Sequence, residues 1–305
     1  MYLAASPIPM RLAFGLVVST LIGFVAYRRG SLSRSGIFGA MITGTTIFGF
    51  GGWAAGLTLI AFFVSSSLLS HFKERDTRKQ HAAEMFDKGG QRDLWQALAN
   101  GGAAALLAIV VAVTGPPLPS VVLLPAHIAL AAMVGALATV TADTWATELG
   151  VLSKSQPRRI TNFKTVERGT SGGISPAGIA AALAGAVFIA LFFELLLQQE
   201  MQIAFQGVDF FATEPIQPLQ GLVRFIAVVL GGVAGSLFDS FLGATVQAMY
   251  YSAARQKETE KQFERDGTPN KSIRGWRWLN NDWVNFISSL FGATVAAGIA
   301  YVLIR

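Results

Sequence analysis

Cysteine is absent from the 305 residues, and histidine occurs three times. The first absence excludes a disulfide framework, a thiol nucleophile and a Cys-type metal centre. The histidines, His71, His81 and His127, show no ligand spacing. Charge is scarce too: 14% of residues are charged, against about 25% in soluble domains. A chain so poor in charge cannot cover itself with a polar surface. Neither a P-loop nor a Ser-His-Asp set occurs, so any nucleotide is bound without a Walker motif.

What is present is apolar length. Hydrophobic residues make up 52% of the chain, and the mean hydropathy is +0.48. Apolar runs fall at about 10–27, 35–50, 53–71, 94–114, 121–142, 176–197, 219–251 and 283–304. Each is long enough to cross a bilayer as a helix or nearly so. The expected fold is therefore all-α, a polytopic membrane helical bundle of about eight transmembrane helices, forming a single integral-membrane domain over 1–305. The second and third runs, joined by GFGGW, read either as two spans or as one re-entrant pair. The run at 219–251 reads as a helix that spans and projects beyond the bilayer.

Nearly every Lys and Arg sits in loops 28–34, 71–93, 148–171 and 252–281, whereas 50–52, 115–120 and 198–218 carry neither. The two groups alternate as eight spans require. The positive-inside rule makes the basic loops cytoplasmic and both termini external. The net charge of +6 thus reflects topology rather than a nucleic-acid face. No cleavable signal is evident, and a bacterial inner membrane is the expected location.

The stretch 142–175, ADTWATELGVLSKSQPRRITNFKTVERGTSGGIS, concentrates the chemistry. It leaves a membrane helix with Asp143 and Glu148, crosses Lys154, Arg158, Arg159, Lys164 and Arg168, and ends in a glycine turn. Acids at membrane depth are costly and tend to be functional. Two hard oxygen donors beside a phosphate suit Mg²⁺. The basic residues also satisfy plain positive-inside topology. The turn Gly169, Thr170, Ser171, Gly172, Gly173 lets successive N–H groups point one way. Ser175 is a good N-cap, with Pro176 at the first helical position, so turn and helix start together suit an anion.

Asp239 lies in the apolar GGVAGSLFDSFLGATVQ and needs a metal, a basic residue or a hydroxyl as partner. Arg92 and Asn100 flank the start of the fourth run, and Asn281 and Asn285 open the eighth. On the topology above, all of these meet at one membrane face. Glycines at 36, 39 and 44 permit close helix approach without forming a clean GxxxG.

ADTWATELG, PRRIT and GTSGGIS, together with GGQRDLWQALANGG (89–102), GSLFDSFLGATVQ (235–247) and LNNDWVNFISSL (279–290), resemble the blocks of an integral-membrane family long filed as domain of unknown function 92. That family includes transmembrane protein 19 and the phytyl-phosphate kinase of tocopherol (vitamin E) biosynthesis. The resemblance implies a membrane-bound isoprenoid kinase: transfer of a phosphoryl group from a nucleoside triphosphate, CTP, to a prenyl monophosphate. On that reading Asp143, Glu148 and Asp239 are catalytic and hold Mg²⁺. Lys154, Arg158, Lys164, Arg168, the turn 169–173 and Ser175 hold the nucleotide phosphates. Arg92, Asn100, Asn281 and Asn285 orient the acceptor. KTVERG at 164–169 is also loosely similar to the K-T-x-E-G element of membrane cytidylyltransferases and dolichol kinase, with an Arg inserted. A CDP-lipid-forming cytidylyltransferase, or a transporter with an acidic relay through Asp239, are the alternative readings.

Overall fold

The computed structural model describes residues 7–72, 76–83, 91–114, 126–204, 217–264 and 266–303. Eight helices run in chain order: α1 (Ile8–Arg28), α2 (Arg34–His71), α3 (Thr77–Ala83), α4 (Leu94–Thr114), α5 (Ala126–Gly150), α6 (Pro176–Ala204), α7 (Gln217–Thr245) and α8 (Asn281–Leu303). All except the short α3 are long and apolar enough to cross a membrane, seven in number. In hydrocarbon only a helix satisfies its own backbone within one segment, so apolar length alone selects this state.

The 38-residue α2 is two helices joined at Gly52, whose φ of 84° and ψ of −174° are non-helical. The backbone carbonyl of Arg92 accepts from the Ser33 N–H at 3.0 Å, and the same residue's guanidinium donates to Ser67 Oγ at 3.1 Å. Residues 33 and 67 therefore lie at one end of the molecule. An unbroken helix would hold them about 50 Å apart. The limbs close on each other near the reversal, where a Cβ on Gly56 would come within 2.4 Å of the Phe48 ring. The chain thus runs out and back within α2, so 34–71 is a helical hairpin, as both readings of this region require.

Glu200, near the end of α6, caps the returning limb. Its carboxylate accepts from the Trp53 and Ala54 N–H groups at 3.2 and 3.0 Å. These are orphan donors at a helix N-terminus, where the backbone dipole favours a negative charge. Gly52→Ala is expected to cost about 1–3 kcal/mol, because that backbone region is essentially glycine-only. Thermal unfolding in detergent measures it, and an unchanged melting temperature would refute a sharp reversal at this position.

The central helix is α5, buried at every residue from Ala131 to Ala142. Helices α4, α6, α7 and α8 all pack on it. Small residues set the spacing: a Cβ on Gly135 would meet Ala296 of α8 at 2.6 Å, and one on Gly232 would meet Ala138 of α5 at 2.8 Å. In the absence of a hydrophobic force between helices in lipid, such close van der Waals approach is the main source of association. Gly36, Gly39 and Gly44 likewise pack within the chain, against Arg92, Ala97 and Ser19.

The described parts of the basic loops lie at one end of the bundle. That end is built up by a small sheet, which corrects the expectation of a projecting helix to 251. Helix α7 stops at Thr245, and the chain continues as β3 (Met249–Ser252), β4 (Lys257–Thr259) and β5 (Lys271–Arg274). These form an antiparallel sheet in the order β4-β3-β5, which accounts for much of the loop 252–281. The Arg274 guanidinium donates to the Ala244 carbonyl, satisfying an orphan acceptor at the end of α7. An earlier two-residue pair, β1 (Arg158–Arg159) with β2 (Gly173–Ile174), ties the central loop to the start of α6. Of the loop 71–93, the described part forms α3 and the strand-like contact Leu32–Arg92. Lys88 lies outside the described residues.

Candidate active site

A cleft of about 590 Å³ opens at the polar end of the bundle, walled by the ends of α2, α5, α7 and α8, by α3, and by the glycine turn before α6. Asp143 and Asp239 line it. Each sits about 10 Å inside the end of its helix, α5 and α7 respectively. Ser236, one turn before Asp239, has its hydroxyl 3.5 Å from Asp143 Oδ1. Ser236 thus brings the Asp143 carboxylate to the stretch of α7 that carries Asp239. Asp239 Oδ2 is buried with no hydrogen-bond partner among the described residues. A buried acceptor left open in this way carries a penalty unless a ligand completes it.

Glu148 also lines the cleft, but both its oxygens are engaged. Lys79 of α3 donates to one at 2.6 Å, and Ser70 at the end of α2 donates to the other at 2.7 Å. Its role in the structure is to dock α3 over the cleft. No group of three or more His, Cys, Asp or Glu residues is close enough to share a metal among the described residues. Of the expected set Asp143, Glu148 and Asp239, Asp239 keeps an oxygen without a partner among the described residues, whereas both oxygens of Glu148 are bonded to Lys79 and Ser70. Two carboxylates facing a cavity, one with an open oxygen, fit a hard divalent cation that takes its remaining ligands from water and substrate phosphates.

The glycine turn lies where the sequence places it. Gly169 and Gly172 have φ of +88° and +79°, and the turn is wedged between α3 and α7. A Cβ on Gly169 would meet Ala82 at 2.8 Å, and one on Gly172 would meet Ala244 at 2.5 Å. Ser175 caps α6 by accepting from the Gly178 N–H at 3.1 Å. Ser171 donates to Gln247 Oε1 at 2.7 Å, and Gln247 Nε2 donates to Glu260 Oε1 at 2.8 Å. The wholly buried Gln247 thereby locks the turn to the sheet.

Of the expected cations, Arg92 and Arg168 line the cleft. Arg168 donates to the Ser153 and Lys154 carbonyls, and its Nε is buried without a partner among the described residues. Lys154, Arg158 and Lys164 are exposed and do not line the cleft. The reason is local: the loop folds on itself, with Arg159 N–H bonded to the Lys164 carbonyl and Arg158 to the Phe163 carbonyl. Asn281 and Asn285 line the cleft from the start of α8, whereas Asn100 lies in a second, apolar cavity. Sequence reasoning missed Lys79 and Glu260 as cleft residues. Both lie in charged loops, where spacing gives no address.

The model of a family described as integral membrane protein DUF92 matches residues 17–293. Protein PGR of Arabidopsis thaliana is 35% identical over 284 residues, covering 92% of this chain and 93% of its own length. An uncharacterized membrane protein of Methanocaldococcus jannaschii is 30% identical over 295 residues, covering 97% and 94%. Protein VTE6, chloroplastic, of Arabidopsis thaliana is 28% identical over 267 residues, covering 87% of this chain and 64% of its own. No solved structure matches.

Proposed function

The chain belongs to the DUF92 family of integral membrane proteins, and on that premise we propose that it is a membrane prenyl-phosphate kinase using a nucleoside triphosphate, CTP, as donor. The observation that carries this reading is the cleft itself. Two membrane-embedded aspartates face a glycine turn and two arginines at the end of the bundle where the basic loops gather. Phosphoryl transfer asks little covalent chemistry of a protein; positioning and charge neutralisation do most of the work. By the positive-inside rule this end is cytoplasmic, where nucleotides are available.

Asp143 and Asp239 would hold Mg²⁺, which supplies charge neutralisation on the phosphate oxygens. In the turn 169–173 the Thr170 and Gly173 N–H groups are bonded to the Glu167 and Thr170 carbonyls, so the remaining N–H groups of the turn would be the ones to meet the donor phosphates. Arg168 adds charge beside them. Arg92 binds the acceptor phosphate from the opposite wall, with Asn281 and Asn285 as neutral donors at the start of α8. An acceptor phosphate oxygen forms the new bond to the donor's γ-phosphorus. The bond from that phosphorus to the β,γ-bridging oxygen breaks, and its electron pair leaves on the nucleoside diphosphate. The acceptor is already an anion at neutral pH, so no strong base is needed. All the polar machinery lies near one membrane face, which disfavours an acidic relay across the bilayer.

The test is a product assay with purified protein, Mg²⁺, labelled CTP and a prenyl monophosphate. Prenyl diphosphate with CDP is the expected outcome. Pyrophosphate with a CDP-lipid would replace the kinase by a cytidylyltransferase acting at the α-phosphorus. Silence with all four nucleotides would refute both.

A further inference from the structure

Arg92 lines two cavities at once. One is the polar cleft. The other is an apolar crevice of about 70 Å³ between α1, α2 and α4, walled by residues that include Val18, Ile22, Ala40, Leu59, Phe63 and Ala97. The guanidinium carbon lies 5.7 Å from the centre of the Phe63 ring, so the cation stacks over an aromatic wall of the crevice. Its polar partner is the neutral Ser67 hydroxyl, and no carboxylate pairs with it among the described residues. Glu148, the acid near it, is taken up by Lys79 and Ser70.

A cation without an acid, set where an apolar crevice meets a polar cleft, matches an amphiphile with an anionic head. We propose that the crevice between α1, α2 and α4 receives the head-proximal part of a single-chain lipid monophosphate, whose phosphate turns over Arg92 into the cleft. This rests on the prenyl-phosphate reading and specifies how the acceptor enters. Charge complementarity at Arg92, which lines both cavities, selects this occupant. A diacyl lipid, with two chains at its head, is the competitor that tests the choice of a single chain. Asn100, absent from the cleft, lines this crevice together with Ser19 and Thr43.

The experiment uses a twenty-carbon prenyl monophosphate carrying a photoactivatable diazirine near its head, with the full protein in nanodiscs. Crosslinked peptides from α1, α2 and α4 that disappear with excess unlabelled prenyl monophosphate, but not with excess diacyl phosphatidic acid, are the expected result. Ala40→Phe should fill the crevice and raise KM for the twenty-carbon acceptor about tenfold, with kcat kept within about twofold. Val18→Phe fills it from the opposite wall and serves if Ala40→Phe fails to fold. Crosslinks confined to lipid-facing residues, or an unchanged KM in both crevice variants, would overturn the proposal. Crevice crosslinks without turnover would reject the kinase reading and uphold the binding site. Neither crosslinks nor turnover would reject both.

Discussion

Asp143→Asn and Asp239→Asn should each lower kcat/KM by about 10³-fold, the scale seen when one preorganised electrostatic group is removed from a site of this kind. Asn keeps the shape and removes the charge, so the loss reports the carboxylate. A metal role adds a second signature: raising Mg²⁺ should partly rescue each variant, because affinity for the cation falls before the geometry does. Stability should move the other way. Two carboxyl groups at membrane depth, one with an open oxygen, are costly to keep. Neutralising either should leave the melting temperature unchanged or raised, as is common when a strained functional site is relaxed. Kinetics and thermal unfolding on the same preparation test both halves. Activity within twofold of the parent would eliminate the aspartates as metal ligands; a large fall in melting temperature would make them structural.

Arg224→Met should be among the most destabilising substitutions in the chain, at about 3–5 kcal/mol. Arg224 of α7 and Glu194 of α6 form a two-pronged pair, with Nε–Oε1 and Nη2–Oε2 distances both 2.6 Å, and their side chains are only 10% and 11% exposed. Removing one partner strands the other as a buried, uncompensated charge. Removing both does not: Glu194→Leu with Arg224→Met should recover most of the loss, because an apolar pair of similar volume avoids the desolvation cost altogether. Glu194 lies about 27 Å along α6 from its cleft end, so the double variant should retain turnover within about twofold. Equal instability in the single and double variants would show that the pair supplies packing rather than charge compensation.

The same two helices mark where sequence reading reached its limit. Glu194 and Arg224 sit inside apolar runs, as Asp143 and Asp239 do, and carry the same signal of an expensive charge held for a reason. Only packing shows that the first two satisfy each other, while the aspartates face a cavity. The Ser175–Pro176 helix start and the glycine turn were legible because caps and positive φ are local demands. Lys154, Arg158 and Lys164 were not separable from Arg168, since a basic loop gives no indication of which cations turn inward. A six-residue turn closed by the Arg159–Lys164 hydrogen bond, with Arg158 donating to the Phe163 carbonyl, directs Arg158 and Lys164 away from the cleft.

What the sequence determined by itself is the all-α membrane fold and the end where the basic loops gather. Those follow from apolar length, from backbone hydrogen bonds that each helix must close internally, and from where charge is tolerated. The chain reversal at Gly52 and the sheet after α7 needed the structure: a glycine pair and a polar loop admit several backbones. Which polar groups meet was decided by tertiary packing alone. Glu148 pairs with Lys79, Gln247 bridges Ser171 and Glu260, and Asp239 keeps an open oxygen because contacts of 2.6 to 3.5 Å depend on helix rotation and depth. Small residues fix both by how closely α5, α7 and α8 can approach, and no spacing within one segment encodes that.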